Sequence, residues 1–424
     1  MARGRFPWTG GTTTVLGAVS IGALGLALVA VPGAQAGEAG EAAFGAGLEV
    51  GPTQPVAPGV RHREFVLIDD AGDRVEGDLL TVTLRNSQVT LDVLYPGVVS
   101  SRQAISELAD ATGAVAGVNG DFFDIGGTPE IAGTNAPVGP AVADGEPLTA
   151  AVPMRQRWGP PLAPETTNLE TVFGVSEGRA RMTELSLEGV ITTPAGTTPL
   201  DGFNQYAIRQ GGVGAFTPVW GEANRKRATC GSDTHRNDPC ADETIEVVVS
   251  DGVVTEVHDE PRAGAIPDGT VVLVGREGGT ARLDHLEPGD AVDVEYRLVA
   301  SDGAEFDFAI GGTPILRGGE PLAGLQDGVR APRTAAGAAA DGATVYLVTV
   351  DGSQEHSAGI SIQDLAEVMS GLGADVAINL DGGGSSTMVA RDRGAGSVSL
   401  RNSPPGGVER PVPNGIGVFS VRRG

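Results

Sequence analysis

The sequence predicts an α+β fold: a mixed α/β sheet core that holds one β-α-β unit, with a small all-β subdomain inserted into it. Three observations lead there. Short apolar runs separated by turn residues recur along most of the chain. Two stretches, 102–111 and 362–372, space their apolar residues as amphipathic helices do. Between 203 and 300 the texture changes to short alternating strands parted by Asp-Gly, Pro-Asp-Gly and Pro-Gly-Asp turns. Glycine (65) and proline (28) are abundant, which favours turn-rich β structure, and aromatics at 4% leave the core to Val, Leu, Ile and Ala.

Taken in order, residues 1–36 read as an export signal. Arg3 and Arg5 give a short basic start, 14–31 (TVLGAVSIGALGLALVAV) is apolar, and Ala34-Gln35-Ala36 is a small-x-small cleavage site. No later stretch is long and apolar enough to span a bilayer, so a secreted, extracellular protein with no membrane span after cleavage is expected. Residues 37–62, rich in Gly, Ala, Pro and Glu, read as a flexible leader. The main domain is expected over 63–202 and 301–424, with apolar strands at 64–68, 79–84 and 89–95. Ser100 or Ser101 is placed to cap a helix over 102–111, followed by the strand Ala114–Val118. The insert at 203–300 carries strands at 243–250, 253–257, 270–274 and 290–299.

Charge narrows the partners. The net charge is −25 and Lys226 is the only lysine, so a phosphate-tracking groove for nucleic acid is excluded as a working idea. Acidic residues suit calcium, but no EF-hand spacing is present. The only cysteines, Cys230 and Cys240, most simply close one disulfide around a polar loop in an extracellular chain; with His235 between them, their spacing fits no common zinc site.

The β-α-β unit is the expected seat of a site. Val345–Val350 ends in Asp351-Gly352. Ser361 and Asp364 form a capping-box pattern before the helix 362–372, and Val376–Leu380 ends in Asp381. A right-handed crossover would make those two strands parallel and put Asp351 and Asp381 at carboxyl ends, where open α/β sheets collect ligands. Asp121 follows the strand 114–118 in the same manner. A weaker echo links Ile125-Gly126-Gly127-Thr128-Pro129 to Ile310-Gly311-Gly312-Thr313-Pro314, and Asp144-Gly145-Glu146-Pro147-Leu148 to Gly318-Gly319-Glu320-Pro321-Leu322. It suggests two similar turns on one scaffold, lining a common cleft.

The run Asp381-Gly382-Gly383-Gly384-Ser385-Ser386-Thr387 directly follows a strand. Its glycines bring backbone N–H groups close to a ligand and its hydroxyls add donors, a combination suited to an anion. It is neither a P-loop, lacking Gly-Lys-Ser/Thr, nor a nucleophile elbow, lacking G-x-S-x-G. Arg333, in Arg330-Ala331-Pro332-Arg333-Thr334, and Arg410, in Glu409-Arg410-Pro411-Val412-Pro413-Asn414, offer guanidinium forks for phosphate oxygens.

Together the strings Asn-Gly-Asp-Phe-Phe (119–123), Pro-Arg-Thr (332–334), Val-Asp-Gly (350–352), Asn-Leu-Asp-Gly-Gly-Gly-Ser-Ser-Thr (379–387) and Glu-Arg-Pro-Val-Pro-Asn (409–414) resemble the phosphodiester glycosidase family. The resemblance covers roughly 90–424 and departs at Ser353, where an arginine is expected. It implies a glycoside-hydrolase type of enzyme that breaks the bond between an anomeric carbon and a phosphodiester oxygen and leaves a phosphomonoester. A phosphate leaving group needs its charge held more than it needs a proton, so carboxylates for the anomeric centre and arginines and N–H groups for the phosphate are expected. Asp121 and Asp381 are the first choice of carboxylates, with Asp351 beside them. Arg333, Arg410 and the loop Gly382, Gly383, Gly384, Ser385, Ser386 and Thr387 are expected on the phosphate, and Asn119, Asn379 and Asn414 on the sugar or the carboxylates. The substrate is expected to be a sugar-1-phosphodiester or a cell-wall glycan. The residues fix no cofactor with certainty; a divalent cation such as calcium, held by the aspartates, is the alternative, with its ligands unassigned. Two other readings stand beside this one: a metal-dependent phosphodiesterase that cuts P–O, and a non-catalytic cell-wall or glycan-binding protein.

Overall fold

Alanine and glycine decide the centre of the molecule. Arg333–Ala338 (RTAAGA) has little intrinsic strand preference, yet it is a fully buried strand. Its small side chains let the helix Ile362–Gly371 (α2) lie directly on it: a Cβ at Gly337 would stand 2.6 Å from Met369 Cε and 2.6 Å from the Val376 carbonyl oxygen. This strand corrects the expected fold class. It pairs antiparallel with Thr344–Val350 on one side and with Val376–Asn379 on the other, so the strands of the expected β-α-β unit run in the same direction but never pair. The protein is mostly β, built from antiparallel sheets; the short pair Gly202–Phe203 with Val213–Phe216 is the single parallel pairing among the described strands.

The computed structural model describes residues 48–69, 72–128 and 131–420. The export signal falls outside them. The leader does so only in part: Leu48–Val50, Gln54–Ala57 and the start of Val60–Ile68 are strands, so that portion is ordered sheet rather than flexible chain.

Two sheets and two helices position the site. The nine-stranded sheet runs Leu48–Val50, Val60–Ile68, Arg74–Thr83, Thr344–Val350, Arg333–Ala338, Val376–Asn379, Thr313–Arg317, Glu320–Pro321, with Gln54–Ala57 pairing off this path. One face packs on α2 through Ala335, Val348, Leu365 and Met369. The other face, with Leu80, Leu347 and Ile378, meets the five-stranded sheet Val398–Leu400, Met388–Arg391, Ala116–Asn119, Gly415–Ser420, Val89–Leu94. The helix Ile105–Thr112 (α1) covers the far side of that second sheet with Ile105, Leu108 and Ala109. The layers are therefore helix, sheet, sheet, helix.

The helix starts differ from the sequence reading in one case. Ser361 caps α2, accepting from Asp364 N at 3.0 Å and donating to Asp364 Oδ2 at 2.8 Å, as the capping box predicts. Neither Ser100 nor Ser101 caps α1. It begins at Ile105, and the distant Glu409 takes the Ser106 N–H at 2.9 Å and its hydroxyl at 2.6 Å.

The 203–300 region forms the five-stranded sheet Gly202–Phe203, Val213–Phe216, Thr270–Arg276, Thr244–Ser250, Val253–His258. Its last expected strand leaves it: Asp293–Ala300 pairs instead with the long strand Arg179–Thr193. The Cys230–Cys240 disulfide is present as expected. Of the repeated turns, Asp144-Gly145 and Gly318-Gly319 are both hairpin turns with positive φ at each central position, which explains their similar sequences.

Candidate active site

The two helix–strand units end alike. α1 leads into Ala116–Asn119 and then Gly120-Asp121; α2 leads into Val376–Asn379 and then Leu380-Asp381. The two Asn-x-Asp ends, one from each sheet, are fastened to each other. Asn119 Nδ2 donates to the Asp381 carbonyl at 2.7 Å, and Asp381 N donates to the Gly120 carbonyl at 2.9 Å. Asn119 Oδ1 accepts from Thr334 Oγ1 at 2.7 Å and Thr387 N at 3.0 Å. Asn119 thus pins the glycine loop to both sheets.

Asp121 is buried and braced by backbone. Its N–H donates to Asn414 Oδ1 at 2.9 Å, and its two oxygens accept from Phe122 N at 2.8 Å and Gly139 N at 2.6 Å. Gly311 lies over Oδ2, where a Cβ would come within 2.9 Å. The second copy of the Ile-Gly-Gly-Thr-Pro echo therefore lines the site through Gly311, while Gly126 of the first opens a separate hairpin. Burial pushes the Asp121 carboxyl up to about 7, with the charge of Asp381 adding to the rise against the N–H donors. Asp381 is raised as well, first by burial. The Ser385 hydroxyl, Gly382 N at 2.9 Å, Arg410 and Arg333 oppose that rise. The two carboxyls therefore form one coupled pair in which the arginines act on Asp381.

Arg333 is buried and donates to the Ile360 and Val329 carbonyls at 3.4 and 3.2 Å. Arg410 donates to Ser385 Oγ at 3.3 Å and stands 5.1 Å over the Phe123 ring. In the loop, Gly383 has φ 61, and Ser386 Oγ and Thr387 Oγ1 are buried without partners. Asn379 is fully buried, and neither its Oδ1 nor its Nδ2 has a partner.

Asp351 does not join the pair. The strand Arg333–Ala338 stands between its strand and that of Asp381, a separation of roughly 10 Å across two strand spacings. Asp351 Oδ1 instead accepts from Ser403 N at 2.9 Å and Asn402 Nδ2 at 3.3 Å. Asn402 in turn donates to the Ser386 carbonyl at 3.0 Å and accepts from Met388 N at 2.7 Å. Burial, aided by the charge of Asp78, pushes Asp351 up to about 6. Through Asn402 it is joined to the back of the glycine loop. His356 Nε2 lies 3.9 Å from its other oxygen.

Asp351 lies apart, both Asp121 oxygens already accept N–H groups, and among the described residues no cluster of three or more His, Cys, Asp or Glu is arranged to hold a metal ion.

Three contributors were missed in the sequence. Asp124, wholly buried, accepts from Thr134 N at 2.9 Å and Trp158 Nε1 at 3.2 Å and lies 3.5 Å from Arg227 Nε. Asn402 sits in a stretch with no motif. Arg157, half-buried, feels the charge of Asp121. Only Asp124 had a signal, as a second acid just past Asn119–Phe123. A cavity of about 840 Å³ lies away from the carboxyl pair, against Ser100, Thr134, Asn135, Lys226 and Arg227. It shares no wall residue with the pair, so the site is assigned by chemistry rather than by volume.

No helix among the described residues is long and apolar enough to cross a membrane. No curated protein matches the sequence significantly. Solved structures do. A hypothetical protein from Synechocystis is 21% identical with a TM-score of 0.66 over 88% of this chain, which spans 64% of that protein's length. A Burkholderia pseudomallei K96243 protein described as exported is 23% identical with a TM-score of 0.63, covering 82% of this chain and 74% of its own. At these identities the two show a shared fold. The catalytic domain of zebrafish N-acetylglucosamine-1-phosphodiester alpha-N-acetylglucosaminidase, auto-inhibited by its pro-peptide, covers 88% of both chains at 17% identity; its TM-score of 0.42 is too low to add a fold argument. Residues 243–419 match the phosphodiester glycosidase family, a span that holds Arg333, Asp351, Asn379, Asp381, the glycine loop, Arg410 and Asn414. The resemblance carried by the motifs is thereby supported over residues 243–419, where this chain is similar to the phosphodiester glycosidase family.

Proposed function

We propose that this chain is a hydrolase that cleaves the bond between a sugar's anomeric carbon and a phosphodiester oxygen and leaves a phosphomonoester. The observation that supports it is the coupling of Asp121 with Asp381 beside Arg333, Arg410 and the N–H-rich loop after Asp381. Two carboxyls in unlike surroundings divide the work. Asp381, where Arg333, Arg410, the Ser385 hydroxyl and Gly382 N all favour the charged form against burial, is the member directed at the anomeric carbon. Asp121, held near 7, is the member that carries and releases a proton. Arg333, Arg410 and the loop N–H groups hold the charge that grows on the departing phosphate. Asn379, with both amide atoms unpartnered, orients the sugar. The reading includes action outside the cell: the basic, apolar and small-x-small elements of residues 1–36 form an export signal, a disulfide suits an oxidising compartment, and a relative of the same fold is described as exported. Cell-wall phosphoglycans are the substrate class within reach there.

Hydrolysis of a sugar-1-phosphodiester in oxygen-18 water tests it. Label in the sugar is expected; label in the phosphate would mean P–O cleavage and replace this reading with a phosphodiesterase. Asp381→Asn is expected to lower kcat by a factor of roughly 10³ or more while the thermal unfolding midpoint stays close to wild type. Undiminished turnover in that variant would remove Asp381 from the chemistry.

A further inference from the structure

In a chain of net charge −25, arginines near the surface should find carboxylates, and most do. Among the described residues, two pairs of buried or half-buried arginines near the carboxyls have no ion pair: Arg333 and Arg410 on the Asp381 side, and Arg157 and Arg236 on the Asp121 side; Arg63, also half-buried without one, donates to Thr53 Oγ1 instead. An unpaired guanidinium withdrawn from water is costly unless an anion completes it. Arg333 and Arg410 already face the proposed phosphate. Arg157 and Arg236 face nothing that the single phosphate of that reading supplies.

The second pair is a built structure. Arg236, from the loop closed by Cys230 and Cys240, stacks on Trp158 with its guanidinium carbon 3.6 Å from the ring centroid, and its Nη1 donates to the Arg157 carbonyl at 2.9 Å. Gln156 Nε2 donates to the Ser232 carbonyl at 2.6 Å, and a Cβ at Gly231 would fall 2.3 Å from that same nitrogen. Arg276 Nη2 holds the Gly231 carbonyl at 2.9 Å. The segment so clasped is fixed to the carboxyl strand end at two further points: Trp158 Nε1 donates to Asp124 Oδ1 at 3.2 Å, and Gly159 rests on the Phe122 ring. The disulfide loop thus reaches from the inserted sheet to the flank of Asp121 and sets two positive charges there.

We propose that Arg157 and Arg236 form a second anion subsite on the Asp121 side, positioned by the Cys230–Cys240 loop, and that the substrate carries a second anionic group, phosphate or carboxylate, across the scissile bond from the first. This rests on the glycosidase reading for the place of the scissile bond, but the subsite itself does not. A substrate with charge on both sides is a segment of an anionic sugar-phosphate polymer or an acidic sugar phosphodiester, not a neutral sugar on a neutral alcohol.

The experiment is calorimetric titration of the full chain with inorganic phosphate, which needs no turnover. Wild type is expected to bind phosphate in two events. Arg157→Gln combined with Arg236→Gln is expected to abolish one event, and Arg333→Gln combined with Arg410→Gln the other. Arg157→Lys, which keeps charge but loses the fork, is expected to weaken its event about tenfold without removing it. Cys230→Ser with Cys240→Ser is expected to weaken that same event and spare the other. Arg297→Gln, which removes an exposed ion pair with Glu188, serves as the unchanged control. An isotherm for the Arg157/Arg236 variant that matches wild type overturns the subsite, as does a wild type that binds phosphate once or not at all. The glycosidase reading is judged separately by the oxygen-18 label. It fails if sugar phosphodiesters are split at P–O, whatever the titration shows.

Discussion

At the scale of single residues, one fold gives aspartates of similar sequence setting different work. Asp121, Asp351 and Asp381 each follow a strand and precede or follow glycine, and sequence alone ranks them together. Their surroundings separate them. Asp121 is sealed by Gly139 and Gly311, Asp381 opens toward arginines, and Asp351 is consumed by Asn402 and Ser403. The raised Asp121 has a consequence for stability. The folded state binds its proton more tightly than the unfolded chain, so between pH about 4 and about 7 the folded state carries more protons. Stability therefore falls as pH rises through that window, by on the order of 4 kcal/mol for this group. In Asp121→Asn the penalty is absent at every pH. The stability difference between variant and wild type is expected to move in the variant's favour from pH 4 to pH 8, measured by denaturant unfolding at each pH. A difference that is flat with pH would show that Asp121 is ionised in the fold at ordinary carboxylate values. In the active wild type, the kcat/KM profile is expected to show an ionisation close to pH 7.

At the scale of elements, capping was legible and pairing was not. The Ser361–Asp364 box marks the start of α2 because both partners lie within one turn of chain. Ser361→Ala is expected to cost about 1 kcal/mol in unfolding free energy while leaving turnover within twofold of wild type. The start of α1 was misplaced because its cap is Glu409, some 300 residues away, which no local pattern announces. The strand Arg333–Ala338 was missed because its alanines and glycine are chosen for the approach of α2, not for strand preference. That one strand turns an expected parallel pair into an antiparallel set and sets Asp351 two strand spacings from Asp381. Asp351→Asn, which keeps the shape but alters the bonding to Ser403 and Asn402, is expected to lower kcat by about tenfold through the glycine loop and to leave KM for a phosphodiester nearly unchanged. A KM that rises with kcat unmoved would place Asp351 on the substrate instead.

At the scale of the whole molecule, the inserted sheet is braced internally by charge as well as by strands. Glu246, buried in that sheet, accepts from Arg225 Nε and Nη2 at 2.9 and 3.2 Å and from Arg262 N and Nε at 2.9 and 3.0 Å. Burial alone would raise its carboxyl, but the bonds and charge of the two arginines outweigh that and hold it below its ordinary value. A depressed acid stabilises the fold above its unfolded pKa and loses that contribution as pH falls through the folded one, so this tie weakens only in acid, below about pH 4.5. Glu246→Gln leaves Arg225 without its countercharge in a buried setting and is expected to lower stability by about 3 kcal/mol at neutral pH. The deficit is expected to shrink as pH is lowered toward 3, followed by thermal melts across that range. The same insert sends the disulfide loop to the flank of Asp121, so the outlying sheet and the carboxyl pair are parts of one construction.

The sequence by itself determined the short-range facts: where strands end in acids, which loop presents N–H groups, which serine caps α2 and which cysteines pair. Each depends on residues adjacent in the chain or on spacings that recur within it. Only the tertiary structure decided which of the three aspartates form a pair, which asparagine is left unpartnered, and that Asp124, Arg157 and Asn402 belong to the site. Those outcomes depend on which strand lies between which, and on which guanidinium is denied a carboxylate. Long-range packing sets both, through groups as small as the side chains of Ala335 and Ala336 and the missing Cβ of Gly337.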